Sequence, residues 1–214
     1  MITLITGHYG SGKTTAAANL AALRAGTGST ALVDMDTVNP YFRAADLSAF
    51  LEEKGVKLIA PMYAGTNLDL PILNFDIAAI SREYENVICD MGGDDAGAYP
   101  FGKFSEYVKN CGAGWEHLFT VNFCRPLTSS PEECAESIDE IVRASRMPVT
   151  AIINNTNLGS ETTEEIIKDG LEKAKALEEL TGISVTYSTF PAFLDVSFSE
   201  QLVKTEILIK NIWE

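Results

Sequence analysis

The chain has 214 residues, 46% of them hydrophobic and 21% charged, a balance that suits one soluble globular domain spanning 1–214. No apolar stretch approaches the roughly 20 residues that a membrane-spanning helix needs, so no bilayer crossing is expected. Sixteen Lys and Arg against thirty Asp and Glu leave a net charge of −14, which repels nucleic-acid phosphates and anionic membranes and argues against both as partners.

The N-terminus has no cationic start and no small-residue cleavage site, which predicts a cytoplasmic protein without a signal peptide. After a first strand over Ile2 to Thr6 comes Gly7-His8-Tyr9-Gly10-Ser11-Gly12-Lys13-Thr14, which fits G-x-x-x-x-G-K-[ST] between a predicted strand and a predicted helix. Glycines let such a loop curl until its N–H groups point inward at a phosphate, and the helix that follows adds its positive end. Lys13 is placed to reach the β- and γ-phosphates, and the Thr14 hydroxyl is a hard oxygen ligand suited to Mg²⁺. Residues 7 to 14, with Thr15, form the candidate nucleotide-binding set, and Lys13 is also a candidate catalytic residue.

A second strand, Thr30 to Asp34, ends in Asp34-Met35-Asp36. Asp36 lies one step further into the loop, where an acid can orient an attacking water or face a metal; both acids also suit plain turn-forming. "NPYFR", residues 39 to 43, mixes aromatics with a cation: Tyr41 and Phe42 suit either partner docking or packing under the loop. Strands over Val56 to Ala60 and Val87 to Asp90 come next, and Asp90 in "VICDMGG" has the Walker B form, an acid able to hold Mg²⁺ through water. Gly92 to Gly97 then reads as a switch loop or a surface turn. Cys89, Cys111, Cys124 and Cys134 lack metal-type spacing and read as packed thiols; a metal shared across a dimer is the sharper alternative.

The strand His117 to Asn122 leads into "VNFCRPLTSS", where Arg125 is placed at the sheet edge as a cation for an anionic substrate or as a solvated arginine. Ser130-Pro131-Glu132-Glu133 opens a helix with a capping box, running to about Arg146. A strand over Val149 to Ile153 ends in Asn154-Asn155-Thr156-Asn157. A second helix runs from about Thr162 to Leu180 and stops at Gly182, before a strand over Ser184 to Tyr187. The tail from Ser199 on places Leu202, Val203, Ile207, Ile209, Ile212 and Trp213 at roughly helical spacing, which predicts a final helix packed on the sheet; the alternative, an amphipathic membrane anchor, is disfavoured by two lysines against three glutamates. Strands alternating with helices throughout predict a doubly wound, mainly parallel α/β sheet of P-loop type, in three layers α/β/α.

In their order, "GHYGSGKTT", "VDMDTVNPYFR", "VICDMGGDD" and "AIINNTN" resemble the deviant Walker A ATPases, the MinD, ParA and cobyrinic-acid-synthase types within the SIMIBI class. The set "DMDTVNPYFR", "MGGDDAGAYPFG" and "INNTNLGSETT" resembles a bacterial group known only as ATP-binding. The resemblance implies slow Mg²⁺-dependent ATP hydrolysis, a nucleotide-dependent homodimer and a client protein that reads the switch. It matches Lys13 and Thr14 to the phosphate and Mg²⁺ residues, Asp36 to the water-facing switch aspartate, Asp90 to the Walker B acid, and Asn155 to a base-binding asparagine. His8 departs from it: those relatives carry there a lysine that crosses the dimer interface. Either His8 is a weaker donor, or Arg43 or Arg125 supplies the charge, or that dimer does not form. Asn154 to Asn157 lacks the lysine and acid that select guanine, which favours ATP. A GTP-using metallochaperone and an ATP-dependent synthetase that activates a carboxylate are the alternative readings.

Overall fold

The computed structural model describes residues 1–36, 47–60, 76–93, 102, 104–195 and 202–205. Short β-rich runs form strands β1 (Ile2–Thr6), β2 (Thr30–Asp34), β3 (Val56–Ile59), β4 (Asn86–Asp90), β5 (Trp115–Val121), β6 (Ala151–Asn154), β7 (Val185–Pro191) and β8 (Leu202–Thr205). The helices are α1 (Lys13–Ala25), α2 (Ser48–Glu53), α3 (Ile77–Glu83), α4 (Ser105–Asn110), α5 (Pro131–Ser145) and α6 (Glu164–Thr181). All strand pairs are parallel, in the order β3-β2-β4-β1-β5-β6-β7-β8. From β1 the chain goes one way to β2 and β3, returns through β4, and then proceeds the other way through β5. Such a reversal opens a crevice at the carboxyl ends of the central strands.

Both faces of this sheet are covered, which is why every residue of β1 and β2 is buried. On one face Ala16, Ala17, Ala18 and Ala21 let α1 lie close against Ile5, Leu32 and Ile88. On the other, α3 and α4 pack on Ile2, Leu4, Val33 and Cys89, while α5 and α6 pack on Phe119, Val121 and Ile152. Strand side chains alternate between faces, so Asp34 and Asp90, neighbours in sequence of Val33 and Cys89, turn toward the α1 face.

Local signals held where they were strongest. Ser130 caps α5 in a reciprocal capping box with Glu133, and Gly182 ends α6 in a left-handed conformation at φ 70. The tail requires a correction: Leu202–Thr205, expected to begin a helix, is an eighth strand paired with Ser188–Pro191 of β7. Periodicity cannot assign four residues, and the open hydrogen-bonding edge of β7 decides their conformation. The same pairing carries β7 past Tyr187, where it was expected to stop. Residues 206–214 of the tail lie outside the described residues. The four cysteines are free, and burial pushes the Cys89 and Cys134 thiols up to about 12.

His117 is fully buried on β5. Its Nδ1 donates to the Met147 carbonyl at 3.3 Å, which leaves Nε2 to accept from the Thr6 hydroxyl at 2.8 Å. Burial pushes its pKa down to about 4, against the Met147 and Pro148 carbonyls, which pull the other way. The folded state therefore binds fewer protons than the unfolded chain, and this contribution, full above about pH 6.5, is lost as pH falls toward about 4. The stability difference between wild type and His117→Asn should shrink over that window when urea unfolding is measured at successive pH values.

Candidate functional site

The chain leaves β1 at Thr6 and turns at once through backbone angles that favour glycine: φ is 146 at Gly7, 79 at Gly10 and 83 at Gly12. A side chain at Gly7 would strike the Thr120 carbonyl, and one at Gly12 the Asn155 amide. Ser11 N–H closes the turn on the His8 carbonyl at 3.1 Å, and no side chain caps the first turn of α1. Uncapped amides at a helix start favour an anion. His8 is half-buried with Nδ1 donating to the Tyr9 carbonyl at 3.2 Å, and Tyr9 is 64% exposed. Thr15, half-buried, uses its carbonyl to accept from Asn19 at 2.9 Å.

Strand order brings the acids to this loop. Asp90 sits in register with Asp34 on β2 and with Ile5 on β1. It is 1% exposed, hydrogen-bonds the Thr14 side chain, and its Oδ1 has no partner among the described residues. Burial, and then the Asp34 charge, push its pKa up to about 7; the Thr14 bond and the Lys13 ammonium oppose this, and Asp36 adds to it. Asp36 is half-buried and donates its N–H to Asp34 Oδ1 at 3.2 Å. Lys13 is 6% exposed, its Nζ 3.4 Å from the His8 carbonyl that accepts from it. Among the described residues, no three His, Cys, Asp or Glu side chains come together as a metal cage.

Gly93 is the residue that motif reading passed over. A Cβ there would lie 2.8 Å from Lys13 Nζ and 3.0 Å from the Tyr9 backbone, so the chain after β4 forms a wall of the phosphate loop. The signal was present in the Gly92-Gly93 pair that follows Asp90-Met91, read from the sequence as the start of a switch loop or a surface turn. The rest of that loop, 94–97, and Tyr41, Phe42 and Arg43 lie outside the described residues.

The asparagines divide their work. Asn155 is buried; its Nδ2 donates to the Ser11 carbonyl at 2.8 Å, and its Oδ1 accepts from Thr189 at 2.6 Å. Asn154 and Asn157 hold the local turn, through Thr156 at 2.6 Å and Gly159 N–H at 3.1 Å. Arg125, in the loop after β5, packs its side chain beside Gly10.

Compared with solved structures, the chain is similar to the signal recognition particle receptor FtsY from Elizabethkingia anophelis. The two align with TM-score 0.58 and 19% identity, over 87% of this chain and 57% of that one. The Signal Recognition Particle 54 kDa protein from Aeropyrum pernix K1, in complex with GDP, aligns with TM-score 0.57 and 22% identity, over 87% of this chain and 40% of its own. A nucleotide-binding protein from Archaeoglobus fulgidus, in complex with ADP, gives TM-score 0.51 and 17% identity, over 86% and 80% of the two chains. This chain thus spans roughly half the length of the signal-recognition structures. No family model matches it, and no curated protein matches it in sequence. These likenesses show the fold, a parallel sheet in three layers, α/β/α, with a glycine-rich loop leaving its first strand.

Asp90 is a buried carboxylate with a second acid, Asp34, beside it. Its folded pKa lies above its unfolded value, so its charged form costs stability above about pH 7, a cost absent below about pH 3.8. Asp90→Asn should therefore melt several degrees above wild type at pH 8 without ligand, about 2–4 °C for each kcal/mol recovered, with the gap closing toward pH 4. Equal melting at pH 8 would refute the assignment.

Proposed function

We propose that this protein is a MgATP-dependent molecular switch with slow ATP hydrolysis. The observation that carries the reading is the Asp90 Oδ1 left without a partner among the described residues, on a carboxylate bonded to Thr14 at the mouth of the phosphate loop. The donor set fits the ion. A carboxylate and a hydroxyl are hard oxygens, and a site short of protein ligands suits Mg²⁺, which keeps waters and takes phosphate oxygens. Thr14 and Asp90 would hold Mg²⁺, Asp90 through water, with Asp36 on the same side. When bound, the ion neutralises charge on the triphosphate.

The chain's own groups do the rest. Loop amides from Gly7 to Lys13 and the uncapped start of α1 cradle the phosphates. The Lys13 ammonium, now turned to the His8 carbonyl, transfers to the β- and γ-phosphates, where its charge opposes what develops in the transition state. Asp36 orients the attacking water. Asn155 gives one amide hydrogen to Ser11 and keeps the second for an acceptor on a purine ring. Of the similar structures, one carries GDP and another ADP; the choice of adenine rests on the segment Asn154 to Asn157, which offers no acid to guanine.

The likeness to MinD and ParA supports a nucleotide-dependent homodimer and a client protein. His8 lacks the fixed charge of a lysine, and stimulating charges are worth about 10³–10⁵ in rate, so turnover by the protein alone is slow. Purified protein should hydrolyse ATP below about 1 per second, the low end of ordinary turnover. Lys13→Ala should abolish nucleotide binding in calorimetry, whereas Asp36→Ala should keep it and slow phosphate release more than about tenfold. Calorimetry without heat for either ATP or GTP would overturn the reading, and equal turnover in Asp36→Ala would remove that residue's role.

A further inference from the structure

Loop 122–130, between β5 and α5, is built more firmly than a connection requires. Arg125 N–H donates to the Asn122 carbonyl at 3.0 Å, and the Arg125 carbonyl accepts from Thr128 N–H at 3.3 Å. Asn122 Oδ1 in turn accepts from Cys124 N–H at 3.0 Å and from Asn157 N–H at 3.3 Å. Phe123 N–H donates to Thr156 Oγ1 at 3.3 Å. The loop is thus fastened to the segment whose Asn155 braces the phosphate loop. Two residues beyond Arg125, Leu127 is held at φ 65, outside the region that suits a branched side chain, and it is 64% exposed. Such strain persists only where the surroundings over-determine the backbone.

What this frame presents is the Arg125 side chain. A Cβ at Gly10 would lie 3.7 Å from Arg125 Cδ and 3.8 Å from Nε, so the stem rests directly on the phosphate loop. Its Nε is buried and has no hydrogen-bond partner among the described residues. A guanidinium keeps its charge at any ordinary pH and carries donors in a planar fork matched to phosphate oxygens. Leaving one of those donors buried and unmet is costly, and an anion at the loop relieves that cost. The amides at the start of α1 take the inner phosphates, so a cation on the outer half of the loop, at Gly10, stands toward the last one.

We infer that Arg125 binds the terminal phosphate of a nucleoside triphosphate held on its own chain, and so discriminates the triphosphate from the diphosphate. This rests on the reading of the site as a nucleotide site. Arg125 then supplies from within the chain a fixed positive charge that His8 does not.

The test is calorimetric titration of wild type, Arg125→Ala, Arg125→Gln and Arg125→Lys with a non-hydrolysable MgATP analogue and with MgADP, beside the melting temperature of each free protein. Arg125→Ala and Arg125→Gln should weaken the triphosphate analogue by about tenfold or more, leave MgADP within about twofold, and melt no lower than wild type. Arg125→Lys, which keeps the charge but not the fork, should recover part of the loss. An unchanged triphosphate-to-diphosphate ratio in both neutral variants would overturn the inference and leave the nucleotide site standing; it would direct the guanidinium to a separate anionic substrate. Equal weakening of both ligands would also overturn it, by showing a brace for the loop. Wild type binding neither ligand would bring down the nucleotide site, and this inference with it.

Discussion

A carboxylate buried at the end of the central strand is the constraint around which the rest of the site is arranged. The order β2-β4-β1 sets Asp34 and Asp90 side by side and delivers the phosphate loop from the next strand over. Two acids so close, in a place from which water is largely excluded, disfavour each other's charge, and the partial answers are the Thr14 hydroxyl and the Lys13 ammonium. Neither meets Asp90 Oδ1. Folding thus holds in place an unfavourable electrostatic arrangement that a divalent cation, arriving with phosphate, would convert into a favourable one. This is why the same residue reads as a weakness of the empty fold and as the anchor of the proposed ligand.

The second constraint is spatial. The glycines of the loop matter less for mobility than for what they omit. Gly7 lies against the Thr120 carbonyl, Gly12 against Asn155, Gly10 beside Arg125, and Gly93 faces Lys13 and Tyr9. Strands β4, β5 and β6 each send a segment to the loop that leaves β1, and a Cβ would collide at Gly7, Gly12 and Gly93, though not at Gly10. A loop so enclosed keeps its concave shape without a ligand, so binding need not spend free energy on ordering it.

Much of this was legible in the amino-acid sequence because it is local. The phosphate loop is a contiguous motif, Ser130 and Glu133 sit three apart, and Gly182 follows its helix directly, so neighbouring residues carry the whole signal. Asp90 was legible because an apolar run precedes it. What could not be read depends on contacts between distant segments. Leu202–Thr205 is a strand because β7 offers it an edge. Gly93 is a wall because β4 lies beside β1, and pattern alone shows a switch loop or a surface turn. Asn155 resembles a base-binding asparagine by sequence, whereas the fold shows its Nδ2 donating to the Ser11 carbonyl and its Oδ1 accepting from Thr189. The position of Arg125 on Gly10 likewise exists only once β5 is set next to β1.

The hydrogen bond from Asn155 to the Ser11 carbonyl joins residues 144 positions apart. During synthesis, therefore, the amino-terminal loop emerges long before the amide that will support it, and at ribosomal rates of roughly 5–20 residues per second it waits roughly 7 to 29 seconds for that support. A nascent chain carrying the entire motif still lacks that brace. Competence for the proposed ligand arrives late and together with the closing half of the sheet, so occupancy of the loop would report that the fold around it is finished.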